Sequence, residues 1–353
     1  MNGMQRHHEL NGGAPPGWNS VWPIPKKVTR QPAATPTLYA IISTWFDGDI
    51  VAANVRNCFA QGATKVFILD NASPDDTVAN AIAAGAEIAK VYETAKYDDD
   101  LRIHLQNEII RTETENSGIR DLWWMVLDSD EFPTSLTGEP LIEAVRDLPP
   151  EIRILGCDFI DLYPFGPDAA TQYEVGRHPA ECMTHGVWRR GGIRKSHDNK
   201  WFCQCGHWKH TLIRILNGDR DIAHNRGNHT VTIPPEPGGM RGATISQARV
   251  VKHRIFEPDF EYITFHAPMR RREHMERRLS ALCGTGRSEW DDQVIRGQGA
   301  MKRFRAMEHV YSNNWAAVEF PHSQVYGRDI TGLCPYPWRT LLRDYPNVRT
   351  SHG

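Results

Sequence analysis

The stretch Trp123–Phe132, WWMVLDSDEF, constrains the fold of this chain more than any other segment. It begins within an apolar run, Leu122–Leu127, whose length and composition are typical of a strand buried on both faces of a sheet. This run ends directly in the acidic segment Asp128–Glu131. In an open α/β sheet, ligands bind beyond the carboxyl ends of the strands. The stretch therefore predicts a central strand that delivers carboxylates to a ligand-binding edge.

Two of these carboxylates, Asp128 and Asp130, are separated by a single residue. Two such groups repel each other unless a cation or a network of donors lies between them, and Mg²⁺ and Mn²⁺ prefer oxygen ligands. The pattern predicts a divalent-cation site with Asp128 and Asp130 as ligands. Acidic residues at strand ends also act as helix caps and turn formers, and this alternative stays open.

The charge balance argues against nucleic acid and anionic lipid as partners. The chain has 353 residues, enough for one large or two smaller domains, and 40% of them are hydrophobic. Its 41 Lys and Arg residues face 43 Asp and Glu residues, which leaves a formal net charge of -2. Because no overall positive field exists, we expect any ligand to be recognised locally.

Hydropathy and cysteine content predict a cytoplasmic protein without integral membrane association. No segment approaches the roughly 18 uninterrupted apolar residues of a membrane span, and the N-terminus lacks the pattern of a signal peptide. The seven cysteines, spread from Cys58 to Cys334, are an odd number and favour reduced thiols over a disulfide framework.

The segment upstream of the acidic stretch has the pattern of a βαβ unit. An apolar strand, Leu38–Thr44, is followed by helix-compatible sequence and a second strand, Lys65–Leu69, which ends at Asp70. Right-handed crossovers return the chain to the same side of a parallel sheet. We therefore expect Thr44 and Asp70 to face the crevice that the acidic segment enters.

Four segments in this order carry a resemblance to a known family: IISTWFD at 41–47, ILDNASPDDT at 68–77, QN at 106–107 and WMVLDSDEF at 124–132. Together they resemble the N-terminal half of a family 2 glycosyltransferase with the GT-A fold, in the branch whose metal motif is Asp-x-Asp-Glu-Phe. The resemblance covers Leu38–Pro133 well, is patchy to Phe260 and is absent beyond. It implies an α/β fold of the GT-A type, with a mostly parallel, Rossmann-like sheet flanked by helices.

The resemblance also implies a set of donor-binding residues. The nucleotide-sugar contacts are Thr44, Asp70, Asn71, Arg102, Gln106 and Asp128. Among them Asp70 would contact the base, Asp128 the ribose or the metal, and Asp130 would coordinate a Mn²⁺ or Mg²⁺ ion that bridges the donor diphosphate. For Arg102 and Gln106 a role on a helix surface is the open alternative. Such a cation stabilises the charge that develops on a diphosphate leaving group.

The catalytic base of an inverting transfer is expected in the second half of the chain. The run Ile152–Tyr163 alternates as a strand does and contains Asp158 and Asp161, which on a regular strand point to opposite faces. We predict Asp161 or Asp158 as the carboxylate that takes the proton from the acceptor hydroxyl, with Asp219 or Asp221 as second choices. For each of them a surface or turn carboxylate is the alternative that stays open.

A late histidine is the predicted third metal ligand. His229, in Gly-Asn-His before a β-branched pair, resembles the histidine that completes the metal site in GT-A enzymes, and imidazole suits Mn²⁺ alongside carboxylates. A structural histidine is the alternative. Separately, the cysteines and histidines between residues 182 and 210 offer ligands for a structural zinc, although their spacing matches no common zinc finger.

The predicted organisation has three parts. A mobile leader covers residues 1–36, a GT-A catalytic domain covers 37–260 with a nucleotide-sugar half (37–133) and an acceptor half (134–260), and a mainly helical or irregular extension covers 261–353. The extension contains the heavily charged helix Met269–Leu279, which is typical of a solvated face.

The expected activity is transfer of a sugar, a hexose in this prediction, from a nucleotide donor, favoured as a UDP-sugar, to a hydroxyl of a small-molecule or soluble glycan acceptor. Two alternatives stay open. One is a metal-dependent Asp-x-Asp phosphatase, whose motif normally opens its domain and continues with a small hydroxyl residue rather than Glu131. The other is a zinc-stabilised, non-enzymatic binding module. Nothing in the sequence specifies an oligomeric state.

Overall fold

The structure is a computed structural model that describes residues 36–94, 98–135, 138–148, 150, 153–188, 208–216, 223–224, 231–232, 262–285, 307–314, 324–325, 328–329 and 336–337. Across these ranges, no helix has both the length and the apolar character that crossing a membrane requires.

The N-terminal half alternates strands and helices, as the sequence predicts. Its elements are β1 (Thr37–Thr44), α1 (Val51–Ala60), β2 (Ala63–Asp70), α2 (Thr77–Ala83), β3 (Glu87–Val91), α3 (Asp99–Ser117) and β4 (Asp121–Asp128). The four strands are parallel and lie in the order β3-β2-β1-β4. Their carboxyl ends therefore meet at one edge of the sheet.

The second half extends this sheet with strands of mixed direction. Its elements are β5 (Glu131–Ser135), α4 (Leu141–Arg146), β6 (Ile154–Tyr163), α5 (Pro179–Cys182), β7 (His185–Trp188), β8 (Trp208–Leu216), β9 (Ala223–His224), β10 (Val231–Thr232), β11 (Tyr262–His266), α6 (Arg272–Thr285), β12 (Gln324–Val325), β13 (Arg328–Asp329) and β14 (Tyr336–Pro337), with a helical turn at 307–311.

Within the described ranges, ten strands form one sheet, in which the order β14-β7-β6-β8-β4 continues into the parallel half. β8 runs antiparallel to both β4 and β6, so β6 points the same way as β4. β11 pairs in parallel with β6 and antiparallel with β5, although it follows the domain boundary predicted at residue 260. The predicted α/β class with a mostly parallel central sheet is confirmed.

β4 is buried on both faces, as its continuous apolar run predicts. Alternate residues enter two separate core clusters, because successive side chains of a strand point to opposite faces. Trp123, Met125 and Leu127 pack into one cluster, and Leu122, Trp124 and Val126 pack into the other. The strand is thereby fixed from both sides, and its acidic end has a defined position at the edge of the sheet.

Local sequence signals define where helix α3 begins and ends. The Asp98 side chain caps the helix by accepting a hydrogen bond from the Leu101 amide at 2.9 Å, and Gly118 ends it with a left-handed φ of 64°. The helix lies against β1 and carries Arg102 and Gln106, both of which are buried. Capping at both ends thus fixes the positions of Arg102 and Gln106 along the helix.

Gly62, just beyond α1, is the described glycine at which an added Cβ would make the shortest contact. Its φ is +92°, and a Cβ atom there would lie 2.2 Å from Ile142 Cγ2, whereas at Gly118, with φ of +64°, a Cβ would meet nothing within 4 Å. We expect Gly118→Ala to lower the free energy of unfolding by about 1–2 kcal/mol, from the left-handed backbone alone. Gly62→Ala should lower it by about 1–3 kcal/mol more, because Ile142 must also move. Urea denaturation of both variants checks this, and equal losses would contradict it.

Candidate functional site

The carboxyl ends of the parallel strands bring the predicted donor residues together. Thr44 and Asp70 are register partners at the ends of β1 and β2, and Asp128 pairs with Ser43 at the end of β4. Thr44 Oγ1 donates a hydrogen bond of 2.8 Å to Asp70 Oδ1. These residues therefore share one edge of the sheet, as the parallel arrangement predicts.

Asp70 is held in a fixed orientation by the loop that follows it. The Ser73 hydroxyl donates to Asp70 Oδ1 at 2.6 Å and the Ser73 amide donates to Oδ2 at 2.8 Å. Ser73 Oγ also accepts a hydrogen bond from the Phe46 amide, so it ties the loop after β1 to the loop after β2. Asn71 bonds through its side chain to Thr94 at 3.2 Å. Ser73 was not among the predicted site residues, although it lies within the segment ILDNASPDDT at 68–77.

Arg102 and Gln106 point from α3 toward the same edge. The Arg102 guanidinium donates to Asp99 Oδ1 at 2.6 Å and lies 3.6 Å from Asp128 Oδ1. Gln106 Oε1 accepts a hydrogen bond of 3.3 Å from the Ser43 hydroxyl. Both side chains are buried and therefore face the sheet rather than the outer helix surface.

The turn Asp128–Asp130 is supported by two buried polar side chains that the sequence analysis did not select. Asn54 Nδ2 donates to the carbonyl oxygens of Asp128 and Ser129 at 3.1 and 2.9 Å. Glu131 Oε2 accepts a hydrogen bond of 3.1 Å from the Asp128 amide. Buried polar groups that satisfy backbone atoms in this way hold a turn rigid. The carboxylate of Asp130 is therefore presented by a preorganised backbone.

Asp130 faces His266 from β11. His266 Nε2 lies 3.6 Å from Asp130 Oδ2, and His266 Nδ1 lies 2.7 Å from Asp161 Oδ1. Burial opposes the charge on the imidazole, but the carboxylates of Asp130 and Asp161 outweigh it and raise the pKa of His266 to about 10. Burial likewise disfavours the negative charge of the Asp130 carboxylate. His266 and Arg270 outweigh burial and hold the pKa of Asp130 well below its usual range.

Arg270, in the connection between β11 and α6, is the centre of a buried ionic cluster. Its Nε donates to Asp49 Oδ2 at 2.8 Å and its Nη2 donates to Asp47 Oδ1 at 3.2 Å, while Nη1 lies 3.8 Å from Asp130 Oδ2. The hydroxyl of Tyr311 donates to the Arg270 carbonyl. This arginine joins the loop after β1 to the acidic turn after β4.

The Asp49 carboxylate should make stability depend on pH. Burial disfavours its charge, but Arg270 and His274, whose Nε2 lies 3.0 Å away, outweigh burial and lower the pKa of Asp49. A carboxyl group with a lowered native pKa stabilises the fold above its unfolded pKa of about 3.9, and this contribution is lost as the pH falls toward the native pKa. We expect urea midpoints to fall more steeply from pH 5 to pH 3 for the wild type than for Asp49→Asn. Parallel curves would contradict this, and Glu87→Gln, in an exposed pair with Lys65, is the control.

The residues that could hold a divalent cation are Asp130 and His266, with Asp128 beside them. In the part of the chain that the structure describes, no group of three or more His, Cys, Asp and Glu side chains is arranged to hold a metal ion. The 3.6 Å between Asp130 Oδ2 and His266 Nε2 is too long for a hydrogen bond. Metal–ligand bonds of about 2.1 Å would let one cation contact both atoms. A carboxylate and an imidazole that gives up its Nε2 proton on metal binding therefore fit a Mn²⁺ or Mg²⁺ ion that takes its remaining ligands from elsewhere.

Several predicted site residues fall on parts of the chain that are not described. His229, Asp219 and Asp221 lie outside the described residues, and so do the cysteines and histidines at 203–207. Asp158 lies on β6, and its side chain is also outside them. The metal-ligand role of His229 and the zinc alternative therefore stay predictions. Of the described cysteines, Cys58 is a buried free thiol and Cys182 a half-buried one.

Comparisons with known proteins identify similar solved structures. No family model matches the chain, and no curated protein matches it either. Glucosyl-3-phosphoglycerate synthase from Mycobacterium tuberculosis, solved with Mn²⁺, UDP and glucosyl-3-phosphoglycerate, is 15% identical and matches over 35% of this chain and 44% of its own, with a TM-score of 0.24. Mannosyl-3-phosphoglycerate synthase from Rubrobacter xylanophilus is 16% identical over 36% and 42%, also with a TM-score of 0.24.

The match spans less than half the length of either solved structure.

Proposed function

We propose that this chain is a metal-dependent glycosyltransferase that moves a sugar, a hexose by preference, from a nucleotide donor to a hydroxyl acceptor. The observation that carries the proposal is the preorganised turn Asp128–Asp130 at the carboxyl edge of a parallel sheet, with Asp130 Oδ2 3.6 Å from His266 Nε2. This edge is where open α/β sheets bind ligands. The hydrogen bonds from Asn54 and to Glu131 supply the rigidity that such a site needs.

The nucleotide of the donor binds along the ends of β1 and β2. Thr44, Asp70 and Asn71 contact the nucleotide, with the Asp70 carboxylate directed at the base by Ser73. Asp128 contacts the ribose or the cation, while Arg102 and Gln106 complete the donor contacts from α3. A UDP-sugar is the favoured donor. These assignments rest on the resemblance and are supported by the shared position of the residues at one edge.

The diphosphate lies over Asp130. A bound Mn²⁺ or Mg²⁺ ion acts as a Lewis acid that stabilises charge on the leaving diphosphate. Asp130 holds such an ion with Asp128 and with a histidine, for which the chain offers His266 and the predicted His229. The Arg270 guanidinium lies beside the same carboxylate, with Nη1 3.8 Å from Oδ2, and contributes positive charge there.

The acceptor is a small-molecule or soluble glycan hydroxyl, and the transfer inverts the anomeric centre. An inverting transfer needs one carboxylate to accept the proton of the attacking hydroxyl. Asp161 and Asp158 on β6 are the predicted bases. β6 runs in the same direction as β4, so the end of β6 lies at the same edge of the sheet as the acidic turn.

Calorimetric titration tests this proposal. The purified chain is titrated with UDP, TDP, GDP and ADP, each in the presence of Mn²⁺ and again with EDTA. We expect one of these nucleotides, favoured as UDP, to bind with Mn²⁺ and to lose at least tenfold in affinity with EDTA, because Asp130 would hold the diphosphate through the cation. Absence of binding by every nucleotide under both conditions would overturn the proposal.

A further inference from the structure

We propose that Asp161 is a positioning residue, which holds the proton on Nδ1 of His266 so that Nε2 is presented to the cation bound by Asp130. This inference rests on the proposed function and assigns to Asp161 a task different from proton abstraction. It also selects His266, rather than the predicted His229, as the histidine ligand. The chemical group recognised is a Mn²⁺ or Mg²⁺ ion carrying a nucleoside diphosphate.

The pairing of strands β6 and β11 makes Asp161 and His266 direct neighbours. Parallel register sets His266 opposite Asp161, so the two side chains stand side by side on one face of the sheet. Their contact is short, with 2.7 Å between His266 Nδ1 and Asp161 Oδ1. The Asp161 side chain is only 3% exposed. A buried carboxylate at this distance from Nδ1 accepts a hydrogen bond from it and fixes the tautomer.

Two further contacts fix the ring and its distance to Asp130. Phe159, two residues before Asp161 on the same face of β6, meets the imidazole edge-on with ring centroids 6.0 Å apart. The Ala267 amide, directly after the histidine, donates a hydrogen bond of 2.9 Å to the Asp130 carbonyl. The strand end and the acidic turn are thus joined through the backbone, which keeps Nε2 directed at the Asp130 carboxylate.

This arrangement has the chemistry of a carboxylate that supports a metal-binding histidine without touching the metal. A metal-bound histidine must give up one proton and keep the other, and a carboxylate that accepts from the remaining N–H fixes the orientation of the ring and increases the basicity of the bound nitrogen. A base for the acceptor hydroxyl instead needs a carboxylate oxygen within reach of substrate. Burial and the short contact with Nδ1 favour the first task for Asp161.

Electron paramagnetic resonance with Mn²⁺ and UDP separates the two tasks without an activity assay. Free Mn²⁺ is measured during titration, and pulsed spectra report the nitrogen coupling of a bound imidazole. The variants are Asp161→Ala, Asp161→Asn, His266→Ala and His229→Ala, with Glu87→Gln as the control. Loss of the hydrogen-bond partner of a metal-binding histidine weakens metal binding about 10–100-fold. We expect this loss in Asp161→Ala, a smaller loss in Asp161→Asn, whose Oδ1 still accepts from Nδ1, and no nitrogen coupling in His266→Ala.

The outcomes distinguish this inference from the proposed function. Wild-type Mn²⁺ affinity and nitrogen coupling in both Asp161 variants would overturn the inference and leave the transferase proposal standing, with Asp161 as a base. Loss of the coupling in His229→Ala but not in His266→Ala would also overturn it. If the wild type failed to bind Mn²⁺ with UDP, the proposed function and the inference would both fall. A higher Mn²⁺ affinity in Asp161→Asn than in Asp161→Ala would support the inference, and a loss of folding would not produce this difference.

Discussion

Replacement of Arg270 by methionine is expected to lower the free energy of unfolding by about 3–5 kcal/mol. The arginine side chain is fully buried and hydrogen bonds to Asp47 and Asp49, which are themselves 2–3% exposed. Methionine fills much of the same volume but leaves two buried carboxylates without their main cationic partner. Removing one member of a buried ionic cluster is expensive because the remaining charges cannot regain water. Urea denaturation without nucleotide measures the loss.

Arg277→Met is the matched control for this prediction. Arg277 lies only a few residues further along, in α6, and pairs with Glu273 at 2.7 Å, but both side chains are about two-thirds exposed. Exposed pairs of this kind contribute about 0.3–0.5 kcal/mol. A difference of several kcal/mol between the two variants is therefore expected from burial alone. If Arg270→Met lost no more stability than Arg277→Met, the buried cluster would not have the importance assigned to it.

Replacement of Asp130 by asparagine is expected to weaken Mn²⁺-dependent UDP binding by at least about 100-fold. Changes in the outer shell of a metal site already cost about 10–100-fold, and here a charged ligand itself is lost. Asparagine preserves the shape of the side chain. The two side chains next to Asp130 also keep other partners, since Arg270 hydrogen bonds to Asp49 and His266 to Asp161. The variant should therefore stay folded. Calorimetry with UDP, with Mn²⁺ and then with EDTA, measures the effect.

The control for Asp130→Asn is Glu87→Gln. Glu87 is an exposed carboxylate on β3 that pairs with Phe67 of β2, which lies three positions before Asp70. It has the same charge but lies away from the carboxyl edge of the sheet. We expect it to bind UDP as the wild type does. Undiminished Mn²⁺-dependent binding in Asp130→Asn would remove this residue from the metal site.

The elements that the sequence predicted best are those with a strong local pattern. The apolar run before Asp128 is a strand buried on both faces, and its end lies where the pattern predicted it. The strands predicted at Leu38–Thr44 and Lys65–Leu69 are found as β1 and β2. Because strands alternate with helices here, parallel pairing of the strands was expected. This pairing brings the side chains of Thr44 and Asp70 into contact.

The charged run after β11 shows where pattern alone was insufficient. Met269–Leu279 was interpreted as a solvated helix, which holds for the exposed Arg277. Arg270, in contrast, precedes the helix and is fully buried among carboxylates from a loop more than two hundred residues earlier. A sequence pattern shows that a residue is charged, but it does not show which other charges lie around that residue in the folded protein. His266, which was also missed, had a visible signal, since it is a polar residue that ends an apolar strand.

The sequence by itself determined the α/β class, the order of the first elements and the acidic turn at the end of a buried strand. Those features depend on periodicity, capping and crossover handedness, which act over short stretches of chain. Only the tertiary structure decided which distant side chains meet Asp130. His266 and Asp161 are 105 residues apart in sequence and 2.7 Å apart in space. Such a contact follows from the pairing of β6 with β11, which is determined by packing of the whole sheet rather than by any local signal.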